Sequence, residues 1–474
     1  MRRILLGLLA ALCCLALTVP AMAEVSFLGG WPYSALDAMP LELTLSADVT
    51  AYAPFDEDRL PQLTNLLKHL SLRITRQPLL DETQSTVAVL VDGEEAVSFS
   101  LQESPQGGML QLSALPDITY AGADPLSALL GASSEPLTLL GLDGSESAWL
   151  EEGYALLASI DVPLASYLTS ETSVKTDIKD MGTARLKQDY TVSKDDAPGL
   201  AALLSAACPE GRLQELIAGL VFSGKQTLRV YRTEDGTPLR MEWNGNCGLD
   251  EDHLRNVQLV WRLRRDDVAY RDEITLSSPA LRGSDSNKLS WTFSIVPDKK
   301  TGKLTMTGKL SYTRVADKQK TVLSGDCKLV SVAEDGGVRV TGQATLTRQL
   351  PGEDSARGYT FGPDLLFSGD ENMPALEGSL SITGLLGKKN TDQATVALDL
   401  HRTSYTSWQM RQQIIDLASL DGATLGLVSQ EAAQAISSAL IRRLVLLPRE
   451  DLDYLFLDLP EESVEAIINA AQAQ

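Results

Sequence analysis

Alternating apolar and polar residues dominate residues 255–405. The run NVQLVWRLRRDD places Val257, Leu259, Trp261 and Leu263 on one face, and KLSWTFSIVP repeats the same period. A period of two over seven or so successive runs, separated by short polar turns such as PDKKTGK and AEDGG, is typical of an antiparallel meander. A meander of this length must cover its apolar face, close on itself or curl around helices.

The segment KQTLRVYRTEDGTPLRMEWN at 225–244 alternates in the same way on both sides of an EDG turn. It predicts a half-buried β-hairpin. We expect its apolar side to face the preceding helix and any apolar ligand, and its polar side to form cross-strand pairs in water. The residues of the apolar side are Leu228, Val230, Leu239, Met241 and Trp243. Those of the polar side are Arg229, Tyr231, Arg240 and Glu242.

Two regions share the order strand, helix, hairpin. The first runs from LELTLSADVTAY through a leucine-striped helix at 56–70 to a hairpin that turns at DGEE. The second runs from ARLKQDYTVS through helical residues 197–221 to the hairpin at 225–244. Both helices begin with acidic residues, which the helix dipole favours at that end. The shared order predicts one strand-helix-hairpin unit that is used twice.

These patterns predict an α+β fold of long, curved antiparallel β-meander sheets with packed helices. We expect an N-terminal sheet-and-helix module at 24–119 and, from the spacing of Pro, Gly and Ser, a helical linker at 120–165. A large antiparallel sheet module, which contains the helix at 197–221, is expected at 166–406. Residues 407–474, which include WQMRQQIIDLASL and an alanine-rich stripe, are predicted to form C-terminal helices.

The N-terminus has the three parts of a secretory signal peptide. Arg2 and Arg3 precede an apolar run at 4–19, and an A-x-A exit follows at 21–23. The apolar run is shorter than the roughly 20 residues that a membrane-spanning helix needs. We therefore expect cleavage after Ala23 and a secreted or extracytoplasmic protein, with an uncleaved anchor as the alternative.

Composition narrows the range of partners. The chain has 474 residues, a formal net charge of −22 and 44% hydrophobic residues, which is enough to build a core. The negative charge repels nucleic acid and anionic membrane surfaces, so neither is expected as a partner. After the signal peptide, the sequence predicts no integral membrane segment. The partner is unknown, with an apolar ligand and an envelope protein as the alternatives.

Three cysteines follow the signal peptide, and their redox state is open on sequence grounds. Cys208 and Cys247 are the candidate disulfide pair, because exported proteins meet oxidising conditions. Cys327 has the apolar parity of its strand and is expected to be a buried thiol. Three reduced cysteines are the alternative.

The chain carries few signatures of catalysis or metal binding. His69, His253 and His401 form no H-E-x-x-H spacing, and the cysteines form no C-x-x-C pair. The K-T-G tripeptide at 300–302 has no preceding S-x-x-K, and the surrounding PDKKTGK suits a hairpin turn. Carboxylates are too numerous for their spacing to indicate a glycosidase pair. The sequence therefore predicts no catalytic, cofactor-binding or metal-binding residue and no cofactor.

The leucine-rich helices at 56–70 and 197–221, next to a long meander at 226–405, resemble the LolA-like lipoprotein-carrier superfamily. That resemblance implies an apolar cavity between a concave sheet and covering helices. It includes no family motif, so no functional residue is carried over. The chain also resembles uncharacterised secreted proteins of Gram-positive anaerobic bacteria, which implies no activity.

Three functions agree with these observations. The favoured one is an exported non-catalytic protein that binds an apolar ligand or a cell-envelope component. The second is a structural or protein-interaction role in the envelope, through the Thr- and Lys-rich polar faces. The third is an exported hydrolase that uses carboxylates, which requires Asp or Glu residues that converge in a cleft.

Overall fold

A computed structural model describes most of the chain and divides it into two units. The described residues are 36, 39–52, 59–79, 82–131, 145–250, 253–266, 269–281, 285–298, 300–370, 372–456 and 462–465. The expected signal peptide at 1–23, the start of the first predicted helix and residues 466–474 lie outside them. Unit 1 contains the described residues within 144–362 and 384–389, and unit 2 contains those within 31–143, 363–383 and 390–474.

Strands are the main secondary structure of both units. The first ten are β1 (Leu41–Tyr52), β2 (Leu70–Pro78), β3 (Thr83–Val91), β4 (Glu94–Ser104), β5 (Gly107–Leu112), β6 (Ile118–Gly122), β7 (Leu168–Ile178), β8 (Gly182–Val192), β9 (Val221–Arg232) and β10 (Pro238–Gly248). The others are β11 (Arg255–Arg265), β12 (Tyr270–Pro279), β13 (Ser286–Pro297), β14 (Leu304–Ala316), β15 (Gln319–Glu334), β16 (Gly337–Gln349), β17 (Arg357–Ser368), β18 (Ala375–Leu386), β19 (Lys389–Arg402) and β20 (Gln413–Asp416). The helices are α1 (Arg59–Lys68), α2 (Pro125–Leu130), α3 (Ser145–Ala158), α4 (Leu200–Ala207), α5 (Arg212–Ala218), α6 (Gly422–Leu444) and α7 (Arg449–Phe456).

The sheet of unit 1 is a continuous antiparallel meander from β7 to β16. Each of these strands pairs with the next along the chain. Most of the connections are short, because antiparallel neighbours need only a tight turn between them. The connection from β8 to β9 is the long one and contains α4 and α5. The alternation of the sequence is thus confirmed as strand structure, and the fold as a strand-rich α+β fold.

In unit 2 the N-terminal strands pair with a distant part of the chain. β1 lies between β2 and β19, and the antiparallel order continues from β2 to β6. The short strand β20 then joins β6 in parallel. Residues from 390 onwards are therefore grouped with the N-terminal sheet, and the boundaries expected at 119 and 406 do not coincide with this division.

Two predicted helices differ in the structure. The helical segment expected at 197–221 consists mainly of α4 and α5, separated at Pro209 and Gly211, and its last residue, Val221, already belongs to β9. The segment WQMRQQIIDLASL, predicted as a C-terminal helix, instead contains β20 and a 3-10 turn at Leu417–Ser419. Its two consecutive isoleucines favour the strand, because β-branched side chains suit a pleated surface.

Helix α6 is the longest helix of the described chain. Its N-terminus is capped by Asp421, whose side chain accepts the Thr424 N–H at 2.8 Å, and its last turn carries Arg442 and Arg443, where the helix dipole favours cations. Only one stripe of the helix is buried, so it is an amphipathic surface helix. Within the described residues, no helix combines the length and the apolar character that are needed to cross a membrane.

Candidate functional site

Two rows of side chains cross the sheet of unit 1 on its predicted apolar face. Directly opposed residues of paired strands point to the same face, so the strand register defines each row. The first row contains Tyr190, Leu228, Trp243, Leu259, Leu276, Leu289, Tyr312 and Leu323. The second row contains Val230, Met241, Trp261, Ile274, Trp291, Leu310, Gly325 and Leu346. We call these two rows the apolar rows.

Helices α3, α4 and α5 pack on the β8–β12 end of the apolar rows. One buried cluster joins Leu157 of α3 and Leu200 and Leu204 of α4 to Leu228 and Val230 of the sheet. Leu200 and Leu204 lie one turn apart on the same face of α4, so both reach the sheet. Complete burial of a side chain of this size contributes about 1.5–3 kcal/mol. Five residues of this end of the rows are therefore buried in the hydrophobic core, and the other four are half-buried.

The β13–β16 end of the apolar rows is only half-buried. We call it the half-exposed strip, and its members are Leu289, Trp291, Leu310, Tyr312, Leu323 and Leu346. Trp291 stacks on Phe293 with ring centroids 5.8 Å apart and packs against the edge of the buried cluster. Beyond Leu323, the first row ends at its cross-strand partner Arg348, which is exposed. The rows thus change from core to an accessible apolar surface that ends at a cation.

Charged groups hold the middle and the C-terminal end of helix α3. Arg265 of β11 donates to Glu151 with 2.6 Å between Nη1 and Oε2. At the C-terminal end, the buried Arg232 of β9 donates to the carbonyl oxygens of Leu157 at 3.1 Å and of Ala158 at 3.2 Å. These last carbonyls have no partner within the helix, and a cation there also interacts favourably with the helix dipole. The position of α3 is therefore fixed by polar as well as apolar contacts.

Glu152 connects α3 to α5. Its carboxylate is buried and accepts the backbone N–H of Leu213 at 2.7 Å, in the first turn of α5. A Cβ at Gly211, the residue before α5, would collide with that carboxylate. A glycine is thus needed at this position for the contact to form.

Asp272 of β12 is the most buried charged group near α3. It accepts the indole N–H of Trp261 at 2.7 Å and pairs with Arg265 at 3.4 Å. Burial raises the pKa of Asp272, while Arg265 and Trp261 lower it. The Arg265 guanidinium also lies over the rings of Tyr154 and Tyr270, 4.3 Å and 4.8 Å from their centroids. Arg265 therefore joins α3, β11 and β12 through two carboxylates and two aromatic rings.

Four of the five residues predicted on the apolar side of the hairpin lie at the helix-covered end of the rows. Leu228 and Val230 belong to the buried cluster, and Met241 and Trp243 pack against its edge. On the polar side, the Arg229 guanidinium donates to Asp189 at 2.6 Å and to Glu242 at 3.4 Å. The hairpin therefore contributes its apolar side to the core.

Leu239 is the exception. It packs in a separate cluster with Ile178, Met181 and Ala184. The pairing of β10 with β9 shifts by one residue between Pro238 and Arg240, and such a shift interrupts the alternation of side chains. Strict alternation predicts that Leu239 lies in the same row as Met241. Because of the shift, it does not.

Cys208 and Cys247 contribute to the same cluster, Cys208 from within it and Cys247 from its edge. Neither these two cysteines nor Cys327 forms a disulfide in the described part of the chain. Burial raises the pKa of Cys208 and of Cys247, which favours the protonated and less reactive form. The disulfide between Cys208 and Cys247 stays a prediction for the oxidised protein.

Sequence reasoning did not single out Arg232, Arg265 or Asp272, although a signal for them is present. Each has the parity of the apolar residues on its strand: Arg232 follows Val230, and Asp272 precedes Ile274. A charged residue at an apolar position is expensive to bury unless it is paired. An isolated charge in an apolar row therefore indicates an internal ion pair.

The remaining polar candidates have local partners. His253 bonds to Asp250 at 2.7 Å and His401 to Asp399 at 3.3 Å. The K-T-G tripeptide lies in a turn, as predicted, where Asp298 accepts the backbone N–H of Lys300 at 2.8 Å. Across the part of the chain that the structure describes, no group of three or more His, Cys, Asp or Glu residues is arranged to hold a metal ion.

Comparisons with known proteins give no family. No protein-family model matches the chain, and no curated protein matches it. Among solved structures, the outer-membrane expressed OmpT of Vibrio cholerae aligns over 77% of this chain and 96% of its own, with 6% identity and a TM-score of 0.27. Salmonella typhi OmpF in complex with daunomycin aligns over 77% of this chain and 98% of its own, with 10% identity and a TM-score of 0.15. Scores this low do not establish a shared fold.

Proposed function

We propose that this chain is an exported, non-catalytic protein that binds an apolar ligand on the half-exposed strip of unit 1. The observation that carries the proposal is the continuation of the apolar rows beyond the helices as an accessible surface. Contiguous apolar surface of this kind is typical of interaction sites. The aromatic rings of Trp291 and Tyr312 add large apolar area at a low cost in side-chain entropy.

The shape of the strip suits one extended acyl chain. Neighbouring strands lie about 4.8 Å apart, so β13 to β16 span roughly 15 Å, and the two rows are about 7 Å wide. Arg348 at the end of the first row offers a positive charge to an anionic headgroup. A carboxylate or a phosphate pairs well with a guanidinium. An acyl chain with an anionic headgroup is therefore the ligand class that we propose.

Binding of a dansyl-labelled fatty acid to the purified protein tests this proposal. Energy transfer from the tryptophans gives the affinity. The substitution Leu310→Asp places a charge inside the strip and is expected to weaken binding at least tenfold, which is about 1.4 kcal/mol. The matched control Leu249→Asp changes a leucine that is 70% exposed and lies outside the rows, and it should leave the affinity unchanged.

The headgroup contact has its own pair of variants. Arg348→Gln is expected to weaken binding about threefold at low salt and to reduce its dependence on salt, because exposed charges are screened. Arg339→Gln alters the same strand on the opposite face and should have no effect. Binding that does not saturate, or equal losses in Leu310→Asp and Leu249→Asp, would contradict the proposal. A stable oligomer in native mass spectrometry would then favour the structural role.

Export is the part of the proposal that rests on residues 1–23. The basic start, the apolar run and the A-x-A exit support it. Expression of the whole sequence in a bacterial host should release a protein whose mass begins at Glu24. Recovery of the unprocessed chain from the membrane fraction would instead support the anchor.

We also propose that the strand-helix-hairpin unit is used twice. In unit 2, α1 connects the antiparallel neighbours β1 and β2, and in unit 1, α4 and α5 connect the antiparallel neighbours β8 and β9. This common connection supports the repeat and the resemblance to the LolA-like superfamily. An experimental structure in which the two connections pass over opposite faces of their strands would contradict it.

A further inference from the structure

We propose that His69 is a pH-sensitive clamp that docks helix α7 within unit 2. His69 directly follows α1. Its Nδ1 lies 2.6 Å from Asp92 Oδ1, in the turn between β3 and β4, and its Nε2 lies 3.1 Å from Asp451 Oδ2 of α7. One imidazole ring therefore joins three elements of unit 2.

The geometry of the clamp specifies the charged form of the histidine. An ionised carboxylate only accepts hydrogen bonds, so each ring nitrogen that faces one must carry a proton. Neutral imidazole has a single N–H, and its other nitrogen would turn a lone pair towards a carboxylate oxygen. Consistent with this, the hydrogen bonds to Asp92 and Asp451 raise the pKa of His69 above its ordinary value, against the effect of burial.

The other charged groups near the clamp have partners of their own or are exposed. On α1, Lys68 donates to Asn65 at 3.1 Å, and on β4, Glu94 pairs with Arg443 of α6. On α7, Glu450 precedes Asp451 and is exposed. Carboxylates, lysine and arginine have ordinary pKa values several units from neutral. His69 is thus the group of the clamp that changes charge between pH 5 and pH 9.

The clamp lies beside an apolar contact that it supplements. Residues of α1, β3, α6 and α7 share one buried cluster, formed by Leu66, Val91, Leu444, Leu447 and Leu452. Helix α7 has only eight residues, and a helix this short is not stable in water without tertiary contacts. A weaker clamp should therefore appear as local unfolding of α7, while the rest of unit 2 stays folded.

The direction of the pH dependence follows from the raised pKa. A histidine whose pKa is higher in the folded than in the unfolded state stabilises the fold fully below its unfolded value, which is about 6.5. That stabilisation is lost as the pH rises through the folded value. Helix α7 is therefore held most firmly at mildly acidic pH and opens more often at alkaline pH.

Hydrogen exchange of the α7 amides at pH 5.5 and pH 8.5, corrected for the intrinsic effect of pH, measures this opening. In the wild-type chain we expect α7 to be protected at least about threefold more at pH 5.5, since each unit of raised pKa corresponds to tenfold. His69→Gln should abolish the difference. His401→Gln is the matched control, because His401 also lies near two carboxylates, Asp399 at 3.3 Å and Glu42 at 3.9 Å, but in the β19–β1 pair.

A second measurement keeps the proposal testable if a variant is poorly folded. The chain has three histidines, so the ring signal of His69 can be assigned by NMR from its loss in one variant. Asp451→Asn should lower the measured pKa of His69. Equal protection of α7 at both pH values in the wild-type chain, an unchanged pH dependence in His69→Gln, or an unchanged His69 pKa in Asp451→Asn would each overturn the clamp.

Discussion

Helix α3 of unit 1 and helix α7 of unit 2 are docked in the same way but with different cations. Each rests on an apolar cluster, and each is tied down by a cation between two carboxylates. For α3 the cation is Arg265, 2.6 Å from Glu151 and 3.4 Å from Asp272. For α7 it is His69, with 2.6 Å and 3.1 Å to its two partners. Arginine keeps its charge at every physiological pH, whereas histidine does not.

The ion-pair site of Arg265, which we call the α3 anchor, and the His69 clamp also differ in the burial of their side chains. Away from the helices, Asp272 is fully buried and Arg265 nearly so, while Asp92 of the clamp is 61% exposed. On the helices themselves the order is reversed, since Glu151 of α3 is 36% exposed and Asp451 of α7 is 16% exposed. Solvent weakens the exposed pair, and removal of one partner from the buried pair leaves a costly charge behind. The choice of cation thus makes the docking of α3 independent of pH and that of α7 conditional on it.

The largest expected effect tests the buried anchor. Asp272→Ala removes the acceptor shared by Trp261 and Arg265, so it should lower the free energy of unfolding of unit 1 by about 3–5 kcal/mol. Urea unfolding followed by tryptophan fluorescence measures the change. The control Asp326→Ala, an exposed aspartate on β15, should stay within about 0.5 kcal/mol of the wild type. A loss below about 1 kcal/mol in Asp272→Ala would show that the anchor contributes little.

The next effect tests the apolar contact beneath α7. Leu452 is almost completely buried, and Leu452→Ala should cost about 2–5 kcal/mol of docking free energy, because it leaves a cavity in the cluster. Hydrogen exchange of the α7 amides should then approach that of an unfolded segment at both pH values. Leu455→Ala, on the same helix but 41% exposed, is the control and should cost less than about 1 kcal/mol. Comparable losses in the two variants would contradict the observed burial of Leu452.

A smaller effect distinguishes arginine from a simple positive charge. Arg265→Lys keeps the charge but loses the planar contact with Tyr154 and Tyr270, so α3 should be destabilised by about 1–2 kcal/mol. Hydrogen exchange of the α3 amides measures this. Arg262→Lys is the matched control on the same strand, because Arg262 pairs with Glu273 at a half-exposed position and should change by about 0–0.5 kcal/mol. If the two variants behave alike, the aromatic contacts of Arg265 contribute nothing measurable.

Patterns of period two predicted many of the strands, but they did not predict the ion pairs of Arg265 and His69. The alternation gave the strands of the apolar rows, and the EDG and DGEE segments gave real hairpin turns, in which Gly236, Asp92 and Gly93 have positive φ. Turn chemistry and alternation act over a few residues, so they are visible in a single sequence. Leu239 departs from its predicted row because one added residue in β10 changes the register, which alternation alone does not show.

The anchors depend on partners that are far apart in the chain. Arg265 and Glu151 are separated by 114 positions, and His69 and Asp451 by 382. A local pattern shows only that a charge occupies an apolar position, and not which group neutralises it. The same reason explains β20, whose helical pattern is overridden by parallel pairing with β6. The half-exposed strip was missed because its strands have the same alternation as those beneath the helices.

The smallest expected effect comes from His69→Arg, which replaces the histidine of the clamp with arginine, the cation that docks α3. His69→Arg should keep α7 protected at pH 8.5 about as well as at pH 5.5, because guanidinium stays charged while Asp92 and Asp451 accept from it. His69→Gln should also remove the pH dependence, but with the low protection of the neutral form at both pH values. The two variants therefore separate the loss of titration from the loss of charge. If α7 in His69→Arg still opens at alkaline pH, another group titrates near this helix. The difference between the docking of α3 and that of α7 would then not depend on the choice of cation.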